Sequence, residues 1–266
     1  MPVECFVDDR AFLRVSGPDA EAYLQGQLSQ DLKQRDRTLS LLLDPTGKLV
    51  CLLRVVRHGD DTFVLDTDAA AAEALDARLR RFLLRTKAEI EPIPSARLVR
   101  VWADHPLPQR QRSAAWSSDD VQDVLTGDAD GEVERLGGIL LTADEFHRRR
   151  IEAGVPISGV DAGPDTIPAE LGAWAIEAAV SFTKGCYTGQ ELVARIDSRG
   201  GNVPRPLRVL RFDSPAPPPG TEVVADGEVV GHVTSGAANV ALAPIARRIE
   251  VGTAVDAGSA YGAIVR

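Results

Sequence analysis

The segment Lys184–Glu191 constrains the fold most, because it places a cysteine between two glycines directly before a helical pattern. Glycine adopts backbone angles that other residues avoid, so Gly185 and Gly189 predict a sharply shaped loop around Cys186. Residues 192–196 then continue with helical character. The sequence therefore predicts that the thiol of Cys186 lies just before the N-terminus of a helix.

Two interpretations of Cys186 follow from these neighbours. The dipole of the helix and the ammonium of Lys184 both favour a thiolate, which would make Cys186 a reactive thiol. Alternatively, Cys186 is a small buried side chain that serves packing. An iron–sulfur cluster usually takes about four cysteine ligands. The only other cysteines are Cys5 and Cys51, at wide spacings, so we predict no bound metal.

The charge around Cys186 is opposite in sign to that of the whole chain. Residues 184–208 carry five basic and two acidic side chains, a net charge of +3, whereas the chain of 266 residues has a net charge of −9. The acidic total argues against broad binding of nucleic-acid phosphates. The local basic patch is either a solvated face or a contact for an anion, such as a glutamate tail or an RNA phosphate.

Apolar periodicity along the rest of the chain predicts a mixture of strands and helices. The predicted strands cover 10–16, 39–43, 49–56, 62–66, 98–101 and 138–141, and the predicted helices cover 23–28, 68–87 and 142–153. Asp44–Gly47 is a tight turn that joins two of these strands into a hairpin, and Asp68 is the expected helix N-cap. Residues 103–135 are rich in Pro, Gln, Ser and Asp, so we expect them to be partly loop-like.

The C-terminal part has a different pattern. A stiff connection at Pro215–Gly220 precedes short apolar runs separated by turn signals, which predicts a small all-β module, most simply a barrel. The chain has no apolar run of the length that a membrane span needs and begins without a secretory pattern. With three widely spaced cysteines, this indicates a protein of the reducing cytoplasm.

The segment Lys184–Glu191 matches the signature K-G-C-Y-x-G-Q-E, and through it the chain resembles the YgfZ family of folate-binding proteins. Further blocks resemble the same family in the same order, namely Val15–Asp31, Leu43–Lys48 and Arg150–Pro156. The tail Val230–Ser235 is similar to the family's C-terminal barrel. The resemblance covers nearly the whole chain.

The YgfZ family is in turn similar to the T-protein of the glycine cleavage system, and this resemblance implies an α+β fold. Three parts would form a T-protein-like ring around a central folate channel, and the chain would end in the small all-β barrel. The implied domains are a folate-binding region at 1–203 and the barrel at 204–266. Within the first, we expect one subdomain from 1–50 with 142–203, and another from 51–141.

The resemblance also implies a function. The chain would be a tetrahydrofolate-binding accessory factor for assembly or repair of iron–sulfur proteins, including enzymes that methylthiolate tRNA. Its implied partners are folate and either iron–sulfur assembly proteins or client enzymes. We expect a cytoplasmic monomer that contacts neither membranes nor nucleic acid directly.

The resemblance assigns roles to individual residues. Glu152 matches the carboxylate that faces the pterin in T-proteins, and a carboxylate can accept two N–H donors from an aminopyrimidine ring. Its alternative is an exposed carboxylate at a helix end. Phe146 and Tyr187 are candidates to stack on the pterin or aminobenzoyl ring, although aromatic side chains more often form core. The remaining candidate ligand contacts are Gln190, Arg195 and Arg199, and Lys184 is expected to assist the thiol of Cys186.

Two other functions stay open: a folate-dependent aminomethyl or one-carbon transferase or demethylase, and a structural adaptor whose folate-like cavity is vestigial. The hairpin argues against the transferase. T-proteins carry acidic residues soon after the hairpin glycines, whereas Leu49–Leu52 is apolar here. Aminomethyl transfer would lose its main polar group without that carboxylate, so we expect a folate-binding factor rather than an enzyme.

Overall fold

A computed structural model gives the fold of residues 2–33, 36–104, 111–112 and 121–266. These residues form three β-sheets with helices packed between and against them. The combination confirms the predicted α+β class. No helix among the described residues is long and apolar enough to cross a membrane.

The first sheet contains the predicted hairpin. Its strands run in the order β3 (Arg37–Leu43), β4 (Leu49–Arg57), β5 (Thr62–Asp68), β2 (Arg10–Ser16) and β6 (Glu89–Pro92), and every neighbouring pair is antiparallel. The helices α1 (Ala20–Gln27) and α2 (Ala72–Arg81) cover one face, and their leucines share a hydrophobic core with β2, β4 and β5. Because β4 spans residue 50, the sheet crosses the subdomain boundary expected there. The predicted division into domains stays a prediction.

Helix α2 is shorter than the sequence predicts. Apolar spacing predicts a helix over 68–87, but α2 ends at Arg81. Phe82 already leaves helical geometry, and Arg85 has a left-handed φ of 61°, which is incompatible with a continuing helix. Phe82 and Leu83, the periodic apolar residues beyond residue 81, therefore lie in the irregular segment after the helix.

The second sheet runs in the order β10 (Ile139–Leu140), β1 (Glu4–Asp8), β7 (Arg97–Trp102), β9 (Val121–Thr126) and β8 (Gln111–Arg112). β10 and β1 are parallel, and the other pairs are antiparallel. Helix α3 (Ala129–Arg135) packs on β7 through Val133.

The expectation of a partly loop-like segment over 103–135 is wrong for residues 121–135, most of which lie in β9 and α3. The strand was hidden by its composition: Asp123 is buried in β9, where it pairs with Arg54 and Arg100. A strand that buries charged side chains lacks the apolar alternation that marks strands in a sequence. Positions 105–110 and 113–120 lie outside the described residues.

The third sheet forms the C-terminal barrel. Its strands run in the order β13 (Glu228–His232), β12 (Glu222–Ala225), β16 (Ala254–Ala257), β17 (Ala260–Ile264), β11 (Leu207–Phe212), β15 (Val240–Pro244) and β14 (Ser235–Ala237). A bridge between Gly231 and Ile245 joins strands that are far apart in this order and curls the sheet around its own apolar core. The predicted all-β barrel is confirmed.

Three more helices connect these sheets. Helix α4 (Ala143–Glu152) begins with a capping box of Thr142 and Glu145 and packs on the barrel through Ile151. Helix α5 (Ala173–Ala179) and helix α6 (Gln190–Asp197) pack against the first sheet on the face opposite to α1 and α2. The loop between α5 and α6 contains Cys186.

Candidate functional site

Cys186 is the exposed thiol of the chain, whose three cysteines all lie in the described part. Cys5 and Cys51 are 0% exposed. Burial raises the pKa of Cys5 to about 11 and that of Cys51 to about 12, so both stay protonated and out of reach of solvent. Exposure excludes the alternative that Cys186 is a buried packing residue.

The Cys186 loop is bonded along its length to the end of α1, and we call residues 25–31 together with 178–191 the thiol frame. Most of these bonds involve at least one backbone group, so they fix the path of the chain rather than the direction of side chains. They include Ser29 Oγ to Ala179 O (2.6 Å), Gln30 Nε2 to Ala178 O (3.0 Å), Ser181 N to Ser29 O (2.9 Å) and Thr188 N to Gly26 O (3.1 Å).

Lys184 has different partners from those that the sequence suggests. Its ammonium donates to the carbonyl oxygens of Gln25 (2.8 Å), Leu28 (2.6 Å) and Gln30 (3.1 Å). Burial lowers its pKa to about 8. The ammonium is thus bonded to the backbone at the end of α1, and the expectation that Lys184 assists the thiol stays a prediction.

Tyr187 and Gln190 also stabilise the thiol frame. Tyr187 is 8% exposed and packs with Leu41, Leu43 and other residues between the first sheet and α5. Burial raises the pKa of Tyr187 to about 12, and the Lys184 ammonium lies 5.3 Å from the centroid of its ring. Gln190 Oε1 accepts a hydrogen bond from the Tyr187 N–H at 3.2 Å. The structure thus places Tyr187 in the core, the commoner position of an aromatic side chain.

The two candidate arginines lie at the surface of α6 and the turn after it. Arg195 pairs with Glu191 one helical turn earlier at 2.6 Å, and both side chains are exposed. Such exposed pairs contribute at most about 1 kcal/mol to stability. Arg199 is also exposed. This geometry is that of a solvated face, and the predicted anion contact stays a prediction.

The glycines explain how the hairpin turn meets the thiol frame. Gly189 has a φ of 83°, and a Cβ there would lie 2.6 Å from Asp44 O and 2.8 Å from Leu43 Cβ. Gly47 has a φ of 90°, and its Cβ would lie 2.8 Å from Gly189 O. Two glycines from motifs far apart in sequence therefore touch, and neither tolerates a side chain. A Cβ at Gly185 would meet nothing within 4 Å.

A second candidate region lies where the first sheet, the second sheet and α4 meet, and we call it the central cleft. Its cavity has a volume of about 30 Å³, room for about one or two water molecules, and part of it is open to solvent. Small-molecule sites have volumes of about 300–1,000 Å³, so the walls of the cleft must move apart to admit a ligand of that size. Its apolar wall consists of Leu39, Leu52, Phe146, Val155, Pro156 and Ile157, and its charged wall of Asp8, Arg10, Arg54, Asp68, Arg100 and Arg150.

Ion pairs fix the charged wall of the central cleft. Asp66, which is 1% exposed, accepts from the Nε atoms of Arg10 (2.5 Å) and Arg54 (2.9 Å). Asp123 accepts from Arg54 and Arg100. Burial raises the pKa of Asp66, but Arg54 and Arg10 outweigh burial and hold it below its usual range. The network is therefore charged at neutral pH.

Sequence reasoning missed this wall, apart from including Arg150 in a motif. Asp68, the expected helix N-cap, makes no capping hydrogen bond. Its carboxylate accepts instead from Arg10 (2.6 Å) and from the N–H of Ser158 (2.7 Å). Arg150 is 3% exposed and pairs with Asp161 at 2.9 Å. Charged residues within otherwise apolar strands were the signal available in the sequence.

The two candidates on α4 face different surroundings. Phe146 is 4% exposed, lines the central cleft and stacks on Phe6 with ring centroids 3.9 Å apart. Glu152 is 30% exposed and pairs with Arg148 (3.0 Å) and Arg211 (3.3 Å). Glu152 is not among the described residues that line the cleft.

The thiol frame and the central cleft are separate. Leu39 and Leu52 line the cleft and belong to the same hydrophobic cluster as Tyr187, so this cluster links the cleft wall to the frame. Among the described cleft-lining residues, none belongs to the thiol frame. Among the described residues, no three His, Cys, Asp or Glu side chains are grouped to hold a metal ion.

Comparisons with known proteins agree with this architecture. Residues 205–259 match the family model of the CAF17 C-terminal beta-barrel domain. The human mitochondrial iron–sulfur cluster assembly factor IBA57 is 32% identical, over 90% of this chain and 76% of its own length. The tRNA-modifying protein YgfZ of Edwardsiella ictaluri is 33% identical, over 74% of this chain and 67% of its own.

A solved structure shows the same fold. The glycine cleavage system aminomethyltransferase T from Bartonella henselae superposes with a TM-score of 0.79, covering 100% of this chain and 85% of its own, at 19% identity. The predicted T-protein-like architecture is confirmed. At that identity, the likeness describes the fold alone.

Proposed function

The chain belongs to the family of IBA57 and YgfZ, and we propose on that basis that it is an accessory factor for assembly or repair of iron–sulfur proteins, with Cys186 as its functional thiol. The observation that carries this proposal is the contrast among its cysteines: two are buried in hydrophobic cores, and the third is exposed on a loop held by a network of hydrogen bonds. The clients we propose include enzymes that methylthiolate tRNA.

The chemistry of a single thiol limits how Cys186 acts. A thiolate is both a nucleophile and a soft metal ligand, but one thiolate supplies only one of the roughly four ligands of a cluster. The remaining ligands must therefore come from an iron–sulfur assembly protein or a client enzyme that docks over the exposed loop. We propose that the protein does this as a cytoplasmic monomer.

We further propose that a tetrahydrofolate binds in the central cleft. The side chains of the cleft suit such a group in their chemistry, and the cleft must widen to admit it. Apolar side chains and the ring of Phe146 can pack on the pterin, and Asp8 and Asp68, which pair with Arg100 and Arg10, offer carboxylate acceptors for its N–H donors. The arginines of the charged wall favour an anionic tail. Glu152, which does not line the cleft, is kept as a candidate contact.

Strand β4 gives no support to aminomethyl transfer. The hairpin stretch that follows Gly47 turns Leu52 toward the cleft, and the next residue on the same face is the cation Arg54. A carboxylate near the folate amine is what that transfer requires, and β4 does not supply one. Binding of folate by an accessory factor is therefore favoured over the transferase.

The thiol is tested by replacing Cys186 with Ser in a strain that lacks the protein. We expect Cys186→Ser to fold with an unchanged melting temperature and to lose all rescue of iron–sulfur enzyme activity. The matched control is Cys51→Ser, which should lower the melting temperature but retain rescue wherever it folds. Full rescue by Cys186→Ser would refute a functional thiol.

Folate binding is tested by thermal unfolding with and without tetrahydrofolate. A ligand that binds the native state raises stability by about 2.7 kcal/mol at 100 times its Kd. We expect a clear rise in melting temperature for the wild type and a smaller rise for Glu152→Gln. The matched control is Glu228→Gln, another surface carboxylate paired with an arginine. Absence of any rise in the wild type would remove folate from the proposal.

A further inference from the structure

The end of α1 leaves carbonyl oxygens that the helix itself does not satisfy. If the helix continued, the N–H of Ser29 would bond to Gln25 O, but it donates to Leu41 O at 3.1 Å instead. The chain beyond α1 is extended at Leu28, whose φ is −104° and ψ 147°. The oxygens of Gln25, Leu28 and Gln30 converge on one point, and the ammonium of Lys184 occupies that point.

The ammonium is the group that suits this arrangement. It has three N–H donors in tetrahedral array, one for each carbonyl oxygen, whereas a guanidinium is a larger, planar fork. Lys184 is half-buried, and the ring of Tyr187 lies 5.3 Å from Nζ. The charged groups that act on it are few: Asp31 is the carboxylate whose charge favours the ammonium.

Lys184 lies close to Cys186 in the loop, so its contact can fix the position of the thiol. It stands two residues before Cys186, while Tyr187 and Thr188 are fixed directly after it, the first by core packing and the second by its N–H bond to Gly26 O. Gly185 and Cys186 are the exposed residues between these two anchors. The loop is therefore short, held at both ends and free only at the thiol.

We propose that Lys184 is a positioning residue for Cys186: its ammonium, inserted among the carbonyl oxygens of Gln25, Leu28 and Gln30, fixes the conformation in which the loop presents the thiol. The importance of presenting the thiol in this way rests on the proposed function of Cys186. The anchoring of the loop by Lys184 does not depend on that function, and it can be measured without any iron–sulfur assay.

The test is the mobility of a nitroxide spin label on Cys186, read from its electron paramagnetic resonance spectrum. Under native conditions the label should react with this thiol alone, because Cys5 and Cys51 are fully buried. We expect an immobilised label in the wild type and several-fold faster motion in Lys184→Met. The matched control is Lys33→Met, which removes the same charge from an exposed lysine near the frame and should leave the spectrum unchanged.

A spectrum of Lys184→Met as immobile as that of Lys33→Met would overturn the proposal. Lys184→Arg keeps the charge and serves where the methionine variant does not fold; we expect it to mobilise the label too, and wild-type immobility would equally contradict the role of the three-donor ammonium. If the label is freed in Lys184→Met but Cys186→Ser still rescues a deletion strain, the anchoring stands and the proposed function fails. The two failures are thus distinguishable.

Discussion

The thiol frame and the central cleft are stabilised by opposite kinds of contact. In the frame, side chains such as Ser29, Gln30 and Lys184 bond to backbone carbonyl oxygens, so the path of a loop is fixed and one thiol is left free. In the cleft, side chains pair with side chains, as Asp66 does with Arg10, so a wall is fixed around an empty space. The molecule thus has one region that presents a thiol to solvent and another in which ion pairs hold the wall of a narrow cleft.

The largest effect should come from breaking the charged wall with Asp66→Asn. Breaking a buried ion pair costs up to about 3–5 kcal/mol of stability; here Arg10 and Arg54 each lose one partner, although Arg10 keeps Asp68 and Arg54 keeps Asp123. The free energy of unfolding, measured by urea titration, should fall by this amount. Because the frame is separate, native Cys186 should still be alkylated at the wild-type rate. A loss below about 1 kcal/mol would show that the wall does not depend on this network.

Acid unfolding provides the control for Asp66. Its pKa is lowered in the folded state, so the stability it contributes is present above the unfolded pKa of about 3.9 and is lost as the pH falls through the lower folded value. The wild type should lose stability steeply below about pH 4. In Asp66→Asn the free energy of unfolding should fall less steeply with decreasing pH, since the titrating group is gone.

A smaller effect should come from the frame, through Gly189→Ala. A left-handed backbone costs a non-glycine residue about 1–2 kcal/mol, and the added Cβ would also clash with Asp44 O. We expect a loss of about 2–3 kcal/mol in the free energy of unfolding, together with reduced rescue of iron–sulfur enzyme activity. This variant separates the thiol frame from the central cleft, because the rise in melting temperature with tetrahydrofolate should persist wherever the protein folds.

The matched control for Gly189→Ala lies in the same loop. A Cβ at Gly185 meets nothing within 4 Å, so Gly185→Ala should change stability by less than about 0.5 kcal/mol. Equal costs for the two substitutions, measured by the same urea titration, would mean that the contact between Gly189 and Gly47 is not what holds the loop.

The two regions also differ in how far the sequence predicts them. Cys186 was found because its loop is contiguous and framed by glycines, which report backbone geometry directly. The sequence does not predict the partners of Lys184, because a pattern of side chains does not show where backbone carbonyl oxygens lie. The cleft wall was missed for a related reason: Asp123 makes sense in a strand only beside Arg54, which stands 69 positions away. Ion pairs between distant residues leave no periodicity, and they also concealed strand β9.

The central claim is that Cys186 acts in a region separate from the one that binds ligand. The most direct measurement is the tetrahydrofolate-induced rise in melting temperature of Cys186→Ser, taken on the same variant whose rescue of iron–sulfur enzymes is assayed. The account predicts a rise equal to that of the wild type in a protein that no longer rescues. A rise that disappears together with rescue would place Cys186 in the ligand site and contradict the separation of the two regions.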